Sequence, residues 1–190
     1  MNHEPLCALR DRRSVPASQL GAPGPDAQAL RQLLEVSVRV PDHGKLVPFR
    51  MILLEGEAKI AFGKRLSTLL ESRRPDLSDA KREKERRRYE HAPLVVAVVS
   101  RVDPGSSVPA IEQQHAAGNV AYNLLLGAQA LNFGAQWLTG WAAYDEEVAT
   151  LLGLAPNEGI VGFVHIGTPL MQAPERERPA VDEVVSTWTP

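Results

Sequence analysis

One stretch constrains this chain more than any other. Residues 112–132, EQQHAAGNVAYNLLLGAQALN, are dominated by small and apolar side chains. Val120, Leu124, Ala128 and Leu131 recur at helical spacing on one face, and Ala117, Ala121 and Leu125 form a second. A helix that is apolar on nearly all sides is buried on several of them. The pattern predicts a helix through the centre of the domain or across a subunit interface. Gly118, Asn119, Asn123, Gly127 and Gln129 interrupt it too often for a membrane span, which needs roughly 18–20 apolar residues in a row.

Around this helix the sequence predicts short strands and further helices. Asp26 is placed to cap a helix carrying Leu30, Leu33, Leu34 and Val38, and Pro41 stops it. A loop over 41–48 leads to a strand at 51–54. Residues 57–72 read as a helix with Phe62, Leu66, Leu69 and Leu70 on one side. The run LVVAVV at 94–99 is short and valine-rich, as a buried strand is. Further strands are expected at 135–138 and 160–166, with a short helix capped by Asp145 between them and closed by Gly153. Residues 14–25 read as a loop. Few strands interleaved with helices indicate an α+β layer fold. The 190 residues suit one domain, 1–190, with a C-terminal arm from about 170 that is rich in proline and charge.

Several function classes are disfavoured. The formal net charge of -2 gives no bulk attraction to nucleic acid or a membrane surface. The basic run KREKERRR at 81–88 is interleaved with glutamates, and Lys81–Glu85 and Glu83–Arg87 are spaced to pair at i,i+4. It reads as a solvated helix face or a lid. A single cysteine, Cys7, excludes an internal disulfide and fits a reducing cytoplasm, the expected location. The first residues lack the apolar core of a signal peptide. The five histidines show no HExxH spacing, so no metal site is expected. Neither GxGxxG nor GxxxxGK[ST] occurs, and there is no GxSxG nucleophile elbow.

Three clusters carry potential chemistry. Arg12, Arg13 and Ser14 join two non-titrating donor forks to a hydroxyl at the mouth of a proline-rich loop, which suits a phosphate. The other reading is a solvated surface cluster. Arg39 to His43, RVPDH, sets a cation and an imidazole at a helix end. It suits an anion or a polar ring, or else Arg39 simply answers the helix dipole. Trp137, Leu138, Thr139 and Gly140 follow a strand, and the glycine lets a ligand approach the backbone. An apolar wall of that kind suits a flat heterocycle; the alternative is a turn beside core tryptophans.

In order and spacing, four segments resemble the nitroreductase family, in its short bacterial branch of NAD(P)H nitroreductases: RRSVP at 12–16, RVPDHGKLVPFRMILLEG at 39–56, AGNVAYNLLLGAQALNFGAQWLTG at 117–140 and IVGFVHIGTP at 160–169. The resemblance implies an α+β fold, with an antiparallel-rich sheet and helices around the long central helix. It implies a homodimer with FMN in each of two interface sites. Arg12, Arg13 and Ser14 would take the FMN phosphate and ribityl end. Arg39 and His43 would serve the flavin of the other subunit. Trp137, Leu138 and Thr139 would line the flavin, with Gly140 allowing close approach. Arg178, with Arg176 behind it, would bring a cation from the C-terminal arm to the phosphate. The sequence departs from the pattern at Asn132, Phe49 and Leu138, where glycine, tryptophan and arginine are common.

The activity so implied is oxidoreduction: a hydride from NAD(P)H passes through flavin to a small electron-poor acceptor such as a nitroaromatic or quinone. The flavin carries that chemistry, so no side chain is assigned as catalytic. The alternatives are a non-catalytic FMN-binding protein, or another flavin reaction on the same fold: dehalogenation, enone reduction or flavin cleavage. No nucleic-acid or membrane partner is expected.

Overall fold

The computed structural model describes residues 4–190. The first helix, α1 (Glu4–Asp11), was not anticipated from sequence, because EPLCALRD shows little apolar periodicity. A short 3-10 turn at Ala17–Gln19 and a two-residue strand, β1 (Leu20–Gly21), interrupt the expected loop over 14–25. Helix α2 (Ala27–Ser37) starts where Asp26 accepts a hydrogen bond from the Ala29 backbone N–H at 2.8 Å. Strand β2 (Phe49–Glu55), helix α3 (Gly56–Arg73), helix α4 (Asp79–Arg87) and strand β3 (Leu94–Arg101) follow close to their predicted bounds. The long helix is α5 (Ala110–Ala130). Strand β4 (Gly134–Leu138), helix α6 (Glu146–Leu151), strand β5 (Glu158–Pro169) and a short helix α7 (Val181–Val184) complete the chain.

All strand pairs are antiparallel. β3 lies between β2 and β5; the other edge of β5 takes β4 and then β1. Because β3 is covered on both faces, its apolar run does not alternate. Leu94, Val96 and Val98 meet α5 and Leu33 of α2 on one face. Val95 and Ala97 meet Phe62 and Leu66 of α3 and Val148 of α6 on the other. The sheet is therefore the middle of three layers.

α5 is buried along Ala117, Val120, Ala121, Leu124, Leu125 and Ala128, as its two apolar faces predict. A third strip stays open in the single chain: Ile111 is 56% and Tyr122 37% exposed, and Gly118 faces open space. Among the described residues no helix is long and apolar enough to cross a membrane.

Candidate functional site

β4 positions the candidate site, and a bulge in β5 positions β4. Val98 pairs with Gly162 but Val99 pairs with Ile160, so Val161 is an extra residue in β5. The Trp137 indole N–H donates to the Val161 carbonyl at 3.2 Å. Any Cβ at Gly162 would run into that indole, so the seat of Trp137 requires glycine there. β4 then carries Gln136, Trp137 and Leu138 past the segment that follows α1.

That segment is fastened to β4. The Val15 N–H donates to the Ala135 carbonyl at 3.0 Å, and the Ala17 N–H donates to Gln136 Oε1 at 2.6 Å. Arg12, Arg13 and Ser14 are thereby held beside Gln136 and Trp137. Pro174, Arg176 and Arg178 of the C-terminal arm close the other side of a cavity of about 250 Å³. Distant parts of the chain thus deliver the arginines expected at a phosphate to one place.

Their electrostatics differ. Arg13 donates to the Arg10 and Arg12 carbonyls and pairs with Glu175, which ties the arm to the N-terminal segment. That guanidinium, with the Arg176 N–H, holds the Glu175 carboxyl below its usual range. Arg13 Nε is buried without a partner. Arg12 reaches only the Ser14 hydroxyl, at 3.4 Å, and Arg178 only the Arg176 and Glu177 carbonyls. Among the described residues no carboxylate pairs with Arg12, Arg176 or Arg178. Converging cations without a carboxylate paired to them, beside an orphaned guanidinium nitrogen, suit a multiply charged oxyanion.

A second cavity, of about 480 Å³, adjoins the first, and Gln136 lines both. Pro16, Ala17, Gln136 and Leu138 form one side; Lys84, Arg87, Arg88 and His91, on and after α4, form the other. Gly140 is at φ +61, and a Cβ there would stand 3.1 Å from the Arg88 guanidinium, so α4 approaches the end of β4 closely. The connection after α4 is anchored. Tyr89 is buried edge-on to Phe62 and Phe163, and Lys59 donates to the Glu90 and Ala92 carbonyls. Burial pushes the Lys59 ammonium down from its ordinary value. His165 is fully buried with neither ring nitrogen partnered, and burial, with Arg88, Lys59 and His91 nearby, pushes it down to about 3.

One sequence expectation changes on α4. α4 does not form the pairs Lys81–Glu85 and Glu83–Arg87. Arg86 instead bonds Glu83 three residues before it and Glu90 four after it, and Arg88 bonds Glu85. Arg39 and His43 are exposed and line neither cavity. The Arg39 carbonyl accepts from Asn123 at 3.1 Å, and His43 Nδ1 lies 2.7 Å from Glu112. Thr139 is half-buried at the end of β4 and lines neither cavity. Gln136 was missed, since a lone glutamine in a short strand carries no motif. No metal-binding cluster occurs among the described residues.

The sequence model of the Nitroreductase family matches residues 9–168. The chain is 34% identical over 180 residues to a Haemophilus influenzae protein described as "Putative NAD(P)H nitroreductase", covering 93% of this chain and 94% of that one. It is 32% identical over 167 residues to a similarly described Escherichia coli K12 protein, covering 87% and 88%. Among solved structures, the fold is similar to a nitroreductase-like family protein from Bacillus cereus, with TM-score 0.79, 22% identity and 96% and 94% coverage. It is also similar to a Desulfovibrio desulfuricans structure in complex with FMN, with TM-score 0.77, 19% identity and full coverage of both chains.

Proposed function

Since the chain belongs to the nitroreductase family, we propose that the two adjoining cavities hold one FMN and that the protein is an NAD(P)H-dependent oxidoreductase. The observation that carries this reading is the convergence of Arg12, Ser14, Arg176 and Arg178 on one cavity without a paired carboxylate. A phosphate monoester supplies the charge those groups lack. The FMN complex of the Desulfovibrio relative is consistent with it.

Bound FMN would carry a hydride's two electrons from NAD(P)H to an electron-poor acceptor, such as a nitroaromatic or quinone. The chain's own residues bind and orient. Arg12, Ser14 and Arg178 hold the phosphate end, while Arg13 locks the arm to the N-terminal segment through Glu175. Leu138, Pro16 and Ala17 offer an apolar wall to the ring end in the adjoining cavity. Gln136 stands at the junction, where its amide can donate. Gly140 ends that wall beside Trp137 and Thr139, under the Arg88 guanidinium, and its lack of a side chain is proposed to let the flavin and Arg88 come close there.

The proposed assembly is a homodimer of one-domain subunits. The open strip of α5, with Ile111 and Tyr122, gives it an apolar face to cover. In the arm, Val181, Val184, Val185 and Trp188 are exposed and need a surface to lie against. Arg39 and His43, outside their own chain's cavities, would then serve the partner's flavin.

FMN uptake tests the binding reading. Purified chain mixed with FMN and desalted should stay yellow at one flavin per chain. Colourless protein, with no quenching of FMN fluorescence on titration, contradicts it.

A further inference from the structure

The second cavity has two chemically different sides. Pro16, Ala17 and Leu138 make one side apolar. The α4 side brings Lys84, Arg87 and Arg88 against one carboxylate, Glu83. Glu83 is already doubly bonded to Arg86, at 2.6 and 2.8 Å, and Arg86 does not line the cavity. Arg88 is answered by Glu85 at 2.6 Å. Arg87 comes no closer to a carboxylate than 3.7 Å, to Glu90, which Arg86 shares at 3.1 Å. Lys84 has no carboxylate within 4.0 Å among the described residues. Excess positive charge is therefore concentrated at Lys84 and Arg87. A cleft lined by one sign of charge draws in the opposite sign.

We infer that Lys84 and Arg87 make this cavity select ring-bearing substrates that also carry an anionic group, a carboxylate or a phosphate. The inference rests on the flavin reading above. With the flavin ring on the apolar side, the substrate's ring stacks on the flavin's open face and the α4 side takes the charge. Two sources fit that chemistry: the pyrophosphate of the nicotinamide donor and an acidic group on the acceptor. The acids spaced through α4 keep the charge local, which suits a small anion better than a long polyanion.

The experiment uses FMN-loaded wild type and the Lys84→Gln/Arg87→Gln double variant, with Lys84→Arg/Arg87→Lys as the charge-preserving control. The acceptor arm compares 4-nitrobenzoate with neutral 4-nitrobenzyl alcohol. The donor arm compares NADH and NADPH with neutral 1-benzyl-1,4-dihydronicotinamide. Binding without turnover is read from the change in the flavin spectrum on titration with benzoate. In the double variant the charged compounds should lose about tenfold in kcat/KM, chiefly through KM, and the benzoate Kd should rise by a similar factor. Neutral compounds and the charge-preserving control should stay within about twofold of wild type. The arm that shows the loss identifies the source of the anion. Equal effects on charged and neutral compounds, or none on either, with FMN fully bound, overturn the inference alone. A wild-type chain that takes up no FMN overturns the flavin reading, and this inference with it.

Discussion

Gln136 Oε1 accepts the Ala17 backbone N–H at 2.6 Å, and that one bond orients the whole amide. A backbone N–H can only donate, so the oxygen must face Ala17 and the NH2 group must point elsewhere. Among the described residues no protein group accepts from that NH2. Gln136 thus fastens the N-terminal segment and presents a free donor where the two cavities meet.

Gln136→Ala should cost both roles. The Ala17 N–H loses its partner and the junction loses its donor, each worth about 1 kcal/mol. The FMN Kd, measured by fluorescence quenching, should rise at least about fivefold. An unchanged Kd would remove Gln136 from the site.

Arg12→Ala combined with Ser14→Ala should weaken FMN far more. Charge-assisted bonds to a phosphate contribute roughly 1.5–3 kcal/mol each, so the Kd should rise by about a hundredfold or more. Riboflavin, which lacks the phosphate, should bind wild type and variant alike. A variant that loses riboflavin and FMN equally would show damage to the fold instead of loss of phosphate contacts.

How far these residues were legible in the sequence depends on the range of the interactions. α5 was legible because burial on two faces writes a local period, and Asp26 and Asp145 were legible because a cap is a local bond. Arg12, Arg13 and Ser14 lie some 160 residues from Arg178, and only the family resemblance suggested that they meet. Gln136 carried no signal, since its partner Ala17 contributes a backbone group that any residue has. The two-residue β1 was hidden for a related reason: it exists through pairing with β5, not through its own sequence. On α4, rules for an isolated helix gave the wrong partners, because several neighbouring arginines compete for Glu83, Glu85 and Glu90.

Acid should destabilise the fold in two overlapping windows. His165 drops from its ordinary 6.5 to about 3 through burial, and Glu158, in its paired bonds with Arg50 at 2.6 and 2.7 Å, drops from 4.5 to about 2. In both cases the unfolded chain takes up the proton first as pH falls. Stability is full above the unfolded value and is lost on the way down to the folded one. Between pH 6.5 and 3, wild type should therefore lose up to about 1.4 kcal/mol per pH unit more than His165→Leu. Urea midpoints measured across that range check it; parallel curves would mean that the imidazole takes up its proton at the same pH in the folded and unfolded chain.

Tyr122→Glu should dissociate the proposed dimer and release flavin together. It places a charge on the open strip of α5 without touching the core of its own chain. Sedimentation velocity and the flavin-to-protein absorbance ratio should fall in step. A monomer that keeps FMN at full affinity would contradict an interface site.

In the proposed function these cavities hold a flavin that a nicotinamide donor reduces. Anaerobic addition of NADH or NADPH to the FMN-loaded protein, followed at the 450 nm band typical of flavins, tests it most directly. The band should bleach with one equivalent of donor per flavin and return on adding a quinone or nitroaromatic. A yellow protein whose band neither donor changes would contradict the oxidoreductase and leave a flavin-binding protein in its place.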